Sequence, residues 1–186
     1  MWVDVDKLKD YTIAFKGLSD GKHEFVYHLD DSFFSQFDAS LVETGDLKAM
    51  VGLLKSQTML NFSFEIRGKV ESVCDKCLGA LEIPVRYRGD LLVKFGAEYD
   101  EPSEDIIVIP HDEYEINVAQ WLYEFICISL PIRHVHKKDK DGNLACDPEM
   151  LEKLNQYLVV DKPESEVNDE VDPRWAALKN LVDKNK

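Results

Sequence analysis

The sequence predicts an α+β fold: an antiparallel β meander, able to curl toward a barrel, covered by an amphipathic helix and followed by short C-terminal helices. Three observations carry that prediction. Leu60, Phe62, Phe64 and Ile66 alternate with Asn61, Ser63, Glu65 and Arg67, and Leu81, Ile83, Val85, Tyr87, Leu91, Val93 and Phe95 keep one parity over residues 81–95. A period of two gives a strand with one face in a core and one in water. At Val118, Trp121, Leu122, Phe125 and Ile126 the spacing becomes i, i+3, i+4, i+7 and i+8, the stripe of an amphipathic helix. Between the two clearest strands stands Cys74-Asp75-Lys76-Cys77, a tight turn with the look of a zinc knuckle.

The remaining elements follow in chain order. Ile13 and Phe15, then Phe25, Tyr27 and Leu29, alternate on either side of the turn-forming residues 17–21, which predicts a hairpin. Asp30-Asp31-Ser32 is suited to capping a helical turn that carries Phe33, Phe34 and Phe37. Leu47, Ala49, Val51 and Leu53 predict a further strand, and short connections favour antiparallel neighbours. Pro84 has no N–H to donate, so it belongs at an edge or a bulge. Residues 105–109 are a short apolar strand candidate. Asn117 is a candidate N-cap for the helix that follows, with Gln120 three positions on, and Pro131 lies at its far end. Asp147-Pro148-Glu149 opens another helix through Met150, Leu151, Leu154 and Leu158. The expected organisation is one α+β domain over residues 1–160, an acidic linker over 161–172 and a helical tail over 173–186 bearing Trp175, Leu178 and Val182.

At 186 residues the chain suffices for one sizeable core. No run approaches the roughly 20 apolar residues of a membrane span, and the first ten residues alternate acids with lysines rather than forming an apolar signal region. A cytoplasmic protein with its four cysteines reduced is the expectation. The net charge of −14 excludes a general nucleic-acid coat, which needs clustered lysine and arginine. The charges are unevenly placed. Residues 98–115 hold eight acids and no lysine or arginine, whereas Lys76, Arg86, Arg88, Lys137, Lys138 and Lys140 are candidate contacts for nucleic-acid phosphates.

A structural zinc ion takes four ligands, so Cys74 and Cys77 need two more. Residues 130–146 supply the other concentrated donors, His134, His136 and Cys146. Cys74, Cys77, His136 and Cys146 would complete a Cys₃His zinc site, with His134 as the competing histidine; the metal-free alternative is reduced thiols and surface histidines. A redox C-x-x-C normally opens a helix after a strand, whereas this one joins two strands. Cys127, alone on its helix, reads as a small buried hydrophobe. His23, His28 and His111 are isolated and receive no chemistry.

Gly68 with Cys74-Asp75-Lys76-Cys77-Leu78, the acidic stretch ending in Glu-Asp-Ile-Ile-Val-Ile, the helix into Leu130-Pro131 and the Val135-His136…Cys146 loop resemble, in that order, the YceD family, linked to accumulation of large-subunit ribosomal RNA. The closing Asp172-Pro173-Arg174-Trp175-Ala176-Ala177-Leu178 is similar too. Many relatives carry a second Cys-x-x-Cys in the C-terminal loop, where this chain has Cys146 beside two histidines. The resemblance implies ribosome biogenesis through binding rather than catalysis, and it supplies no catalytic residues. The expected partner is large-subunit (23S) ribosomal RNA or a pre-ribosomal particle, with no membrane and no small-molecule substrate. Two alternatives stand beside it: an acidic adaptor gripping a basic ribosomal protein, and a zinc-dependent hydrolase, which would need an open metal position and a base such as Asp75, Asp139 or Asp141.

Overall fold

A computed structural model describes residues 5–138 and 145–158. The chain divides into two compact units, residues 1–151 and 152–186. The predicted linker over 161–172 and the tail over 173–186 lie outside the described residues, as does Lys140.

The first unit is built on a six-stranded sheet. Its strands are β2 (Gly21–Leu29), β3 (Gly45–Lys55), β4 (Met59–Val73), β5 (Ala80–Gly96), β6 (Asp100–Ser103) and β7 (Ile106–Pro110), in spatial order β2-β3-β4-β5-β7-β6. From β2 to β5 all neighbours are antiparallel, as alternation and short connections predicted. The sheet is open rather than closed into a barrel. Alternation is strict in the burial: Leu47, Ala49, Val51 and Leu53 face inward from β3, Leu60, Phe62, Phe64 and Ile66 from β4, and Ile83, Val85, Leu91 and Val93 from β5. The intervening residues look outward.

Over this inner face lies α2 (Ala119–Ser129), which buries Leu122 and Ile126 completely. Each such side chain contributes about 1.5–3 kcal/mol on leaving water. Phe125 stacks on Tyr87 at 4.5 Å and meets Phe64 edge-on at 5.0 Å, fixing the helix against β4 and β5. Asn117 acts one residue outside its predicted position. Val118 is the N-cap, while Asn117 Oδ1 accepts from Ala119 N–H and its Nδ2 donates to Leu8 O and Thr12 Oγ1. At α1 (Asp31–Phe34) the predicted cap holds: Asp30 accepts from the N–H groups of Ser32 and Phe33.

Two expectations about pairing are corrected. Residues 12–29 do not form a hairpin. Phe15–Gly17 is a 3-10 turn, and β1 (Thr12–Ile13) pairs instead with β8 (Ile116–Asn117), more than a hundred residues away. Phe15 and Ile13 are both buried, so the apolar spacing was read correctly as core but not as a strand of one hairpin. Second, β7 runs parallel to β5, because the short outer strand β6 lies between them in the chain and reverses its direction. Since β7 covers only Leu92 to Gly96 of β5, Pro84 stands where β5 has β4 on one side and no strand on the other. That is the edge its missing N–H requires.

Among the described residues no helix is long and apolar enough to cross a membrane. The last described helix, α3 (Pro148–Tyr157), starts where Asp147-Pro148-Glu149 predicted, with Asp147 Oδ1 accepting from Glu149 N–H at 2.9 Å.

Candidate metal centre

Among the described residues, the longest hairpin ends in the C-x-x-C turn. β4 and β5 pair without interruption from Met59↔Lys94 to Val73↔Ala80, which leaves residues 74–79 to reverse the chain. Cys74 N–H donates to Gly79 O and Leu78 N–H to Cys74 O, both at 2.9 Å, so the backbone itself folds the two cysteines onto one side. The left-handed residue is Leu78, with φ of 56°, and not Gly79. A Cβ at Gly79 would meet Cys77 Sγ at an ordinary 3.5 Å. Gly79 therefore contributes its N–H, aimed at the Cys77 sulfur, rather than its lack of a side chain.

The loop after α2 returns to this tip and is fastened there by its backbone. Asp75 N–H donates to His134 O at 2.7 Å, and Asp75 Oδ2 accepts from His134 N–H at 2.6 Å. His134 Nδ1 lies 2.8 Å from Ser72 Oγ. His134 is thus occupied in clamping the loop, and His136, two residues on, reaches the cysteines. His136 turns Nδ1 toward Cys77 Sγ (3.5 Å) and Cys146 Sγ (3.6 Å), while its Nε2 meets Ala80 O at 3.0 Å. Cys146 Sγ stands 3.8 Å from Cys74 Sγ.

Among the described residues, the ligand atoms of Cys74, Cys77, His136 and Cys146 all lie within 4.8 Å of one another. These separations fit a metal. Sulfurs about 2.3 Å from a tetrahedral zinc stand about 3.8 Å apart, and a sulfur and an imidazole nitrogen slightly closer. The three cysteines are buried, with Leu81, Val135, Met150 and Leu151 packed around them. The group could therefore hold one metal ion in a closed shell of four protein donors.

The electrostatics are those of a thiolate site. Burial opposes ionisation of Cys74, yet N–H groups of Cys77, Lys76 and His136 directed at its sulfur bring it down to about 6. Cys77 is lowered by the N–H groups of Asp147 and Gly79. Cys146 is pushed the other way, to about 11, by burial and by the neighbouring sulfurs. Hydrogen bonding to Ala80 O raises His136, with help from the cysteines. Without a metal, one site therefore combines a favoured thiolate with donors that hold their protons, and a dication reverses the preference of the latter.

The predicted cations fall into two groups rather than one. Lys76 sits on the knuckle and Lys137 and Lys138 on the loop joined to it, whereas Arg86 lies six residues along β5 from Ala80, about 20 Å at the rise of a strand, and Arg88 further still. Both arginines are exposed on the outer face of the sheet. Their neighbour there is Arg67 and, beyond it, Lys48, which the sequence does not single out because only strand register brings it to the arginines. Cys127 is half-buried on α2 and its thiol is raised by burial, in keeping with a packing role.

No curated protein and no solved structure matches the chain. The family model of the large ribosomal RNA subunit accumulation protein YceD matches residues 62–182, a span that holds the whole cysteine and histidine cluster. By that match, the chain belongs to the YceD family.

Proposed function

We propose that this protein is a cytoplasmic ribosome-biogenesis factor that promotes accumulation or maturation of large-subunit (23S) ribosomal RNA by binding, with a structural zinc ion holding its C-terminal loop on the β4–β5 hairpin. The observation that carries this reading is the convergence of four donors, Cys74, Cys77, His136 and Cys146, in a protein whose family is named for large-subunit RNA accumulation. Four protein donors leave no position for a substrate or an activated water, which favours a fastening over a hydrolase. The fastened part is the loop that carries Lys137 and Lys138, next to Lys76 on the knuckle. With Arg86 and Arg88 these side chains supply cations for phosphate on an otherwise acidic body, whose charge of −14 suppresses non-specific contact.

Sedimentation of cell extract tests the reading. The protein should co-migrate with precursors of the large subunit, and its loss should lower 23S relative to 16S ribosomal RNA. Migration only as free protein, with an unchanged RNA ratio in its absence, would refute it. Association that survives nuclease treatment would favour a ribosomal protein as the direct contact, and the acidic segment over 98–115 as the surface that makes it.

A further inference from the structure

We propose that the outer face of the sheet is an RNA phosphate-binding surface, built on a row of basic side chains that strand register places side by side. The pairings His28↔Lys48, Lys48↔Arg67 and Arg67↔Arg86 are consecutive across β2, β3, β4 and β5. All four residues are exposed, on the side of the sheet away from the core. Strands lie about 4.8 Å apart, so the row runs roughly 14 Å straight across the sheet. Arg88 extends it in the next row, opposite Glu65.

Like charges directly opposite one another oppose sheet formation. This register therefore works against the isolated fold, in a chain with 36 acids from which to draw counter-charges. Only partial compensation is present. Glu65 pairs with Arg67 and with Arg88, and His28 Nε2 lies 3.8 Å from Asp46. Among the described residues neither Lys48 nor Arg86 has a carboxylate at ion-pair distance. Of Lys48, Arg67, Arg86 and Arg88, only Arg67 and Arg88 have an ion-pair partner among the described residues, and it is the same one, Glu65. A line of charge on an exposed surface fits a polyanion whose charges also lie along a line, and two of the row's four members are guanidinium forks that match phosphate oxygens. In a ribosome-biogenesis factor that polyanion is RNA; to this extent the inference rests on the function proposed above.

The test uses the full-length protein and a single-stranded oligouridylate, followed by fluorescence anisotropy over a salt series. Four phosphate contacts predict that log K falls with log salt at a slope of about −3. Lys48→Gln with Arg86→Gln should make the slope shallower by about 1.4, since each contact contributes about 0.7. Lys22→Gln with Lys94→Gln, which removes two charges from the same face far from the row, should leave it unchanged. Equal loss in both pairs, or no loss in the first, would overturn the assignment. Wild-type and Lys48→Gln/Arg86→Gln protein are then compared by sedimentation. If wild-type protein co-migrates with precursors while the variant keeps a wild-type slope, the surface is wrong and the biogenesis reading stands. If the variant shows the slope change but wild-type protein does not associate with particles, the surface stands and that reading fails. Loss of particle association with an unchanged slope assigns the face to an acidic protein and also overturns the RNA proposal.

Discussion

His136 Nε2 lies 3.0 Å from the carbonyl oxygen of Ala80, the first residue of β5. That contact places a proton on Nε2 and leaves Nδ1, which faces the sulfurs of Cys77 and Cys146, as the ligating nitrogen, the arrangement by which outer hydrogen bonds orient a metal-binding histidine. The neighbouring His134 has its own ring tied to Ser72. The two histidines therefore make opposite predictions. His136→Ala and Cys74→Ser should each lower bound zinc from near one per chain and depress the melting temperature, because metal binding is linked to folding. His134→Ala should keep the zinc and cost about 1 kcal/mol from the lost hydrogen bond. Elemental analysis and thermal melts of protein purified without chelator check both, and zinc lost from the His134 variant alone would reverse the assignment.

Zinc loading should release protons. Cys74, lowered to about 6, is already largely a thiolate at neutral pH, whereas Cys146, raised to about 11, must give up its proton to ligate. His136, raised by its bond to Ala80 O, acts in the same direction. As pH falls, protons compete with the ion for every donor, so affinity weakens toward acid; as pH rises, fewer protons are left to release. Calorimetry at pH 7.5 in buffers of different ionisation enthalpy should give at least one proton per zinc. An enthalpy independent of buffer would contradict the arrangement.

Gly68 should tolerate no side chain. A Cβ there would fall 2.2 Å from Asp46 O and 2.6 Å from Leu47 Cα, both backbone atoms of β3 that cannot swing aside. Gly68→Ala should destabilise the fold by about 2–4 kcal/mol through displaced strand pairing. Urea unfolding measures it, and Gly79→Ala, which meets only ordinary contacts, is the comparison expected to cost far less.

Glu65 is the brake on the outer face. It accepts from Arg88 and pairs with Arg67, and its carboxyl is held below the usual range first by the Arg88 hydrogen bond, which with the two positive charges outweighs the opposing effect of desolvation. Glu65→Gln frees two guanidinium groups at once. RNA affinity should rise several-fold and its salt dependence should steepen, while stability changes little because exposed ion pairs contribute little. Unchanged or weakened binding would count against phosphate contact on this face.

Local physics made much of this protein legible in its sequence. Side-chain period alone set β3, β4, β5 and α2, since a strand with one wet face must alternate and a packed helix must repeat every three to four residues. Asp30 and Asp147 marked helix starts because a short carboxylate can satisfy free N–H groups. The four donors of the candidate metal centre were recognisable by residue type, as few other soft ligands exist in the chain. What tertiary structure decided is everything that depends on which distant segments meet. The pairing of Ile13 with Ile116 in place of a local hairpin, and the parallel run of β7 on β5, are choices among partners that alternation cannot distinguish. The choice of His136 over His134 turned on which ring Ser72 captured. The row from His28 to Arg86 exists only in the register of four strands. In sequence these basic residues are some twenty positions apart, and a slip of one residue would turn them to the opposite face.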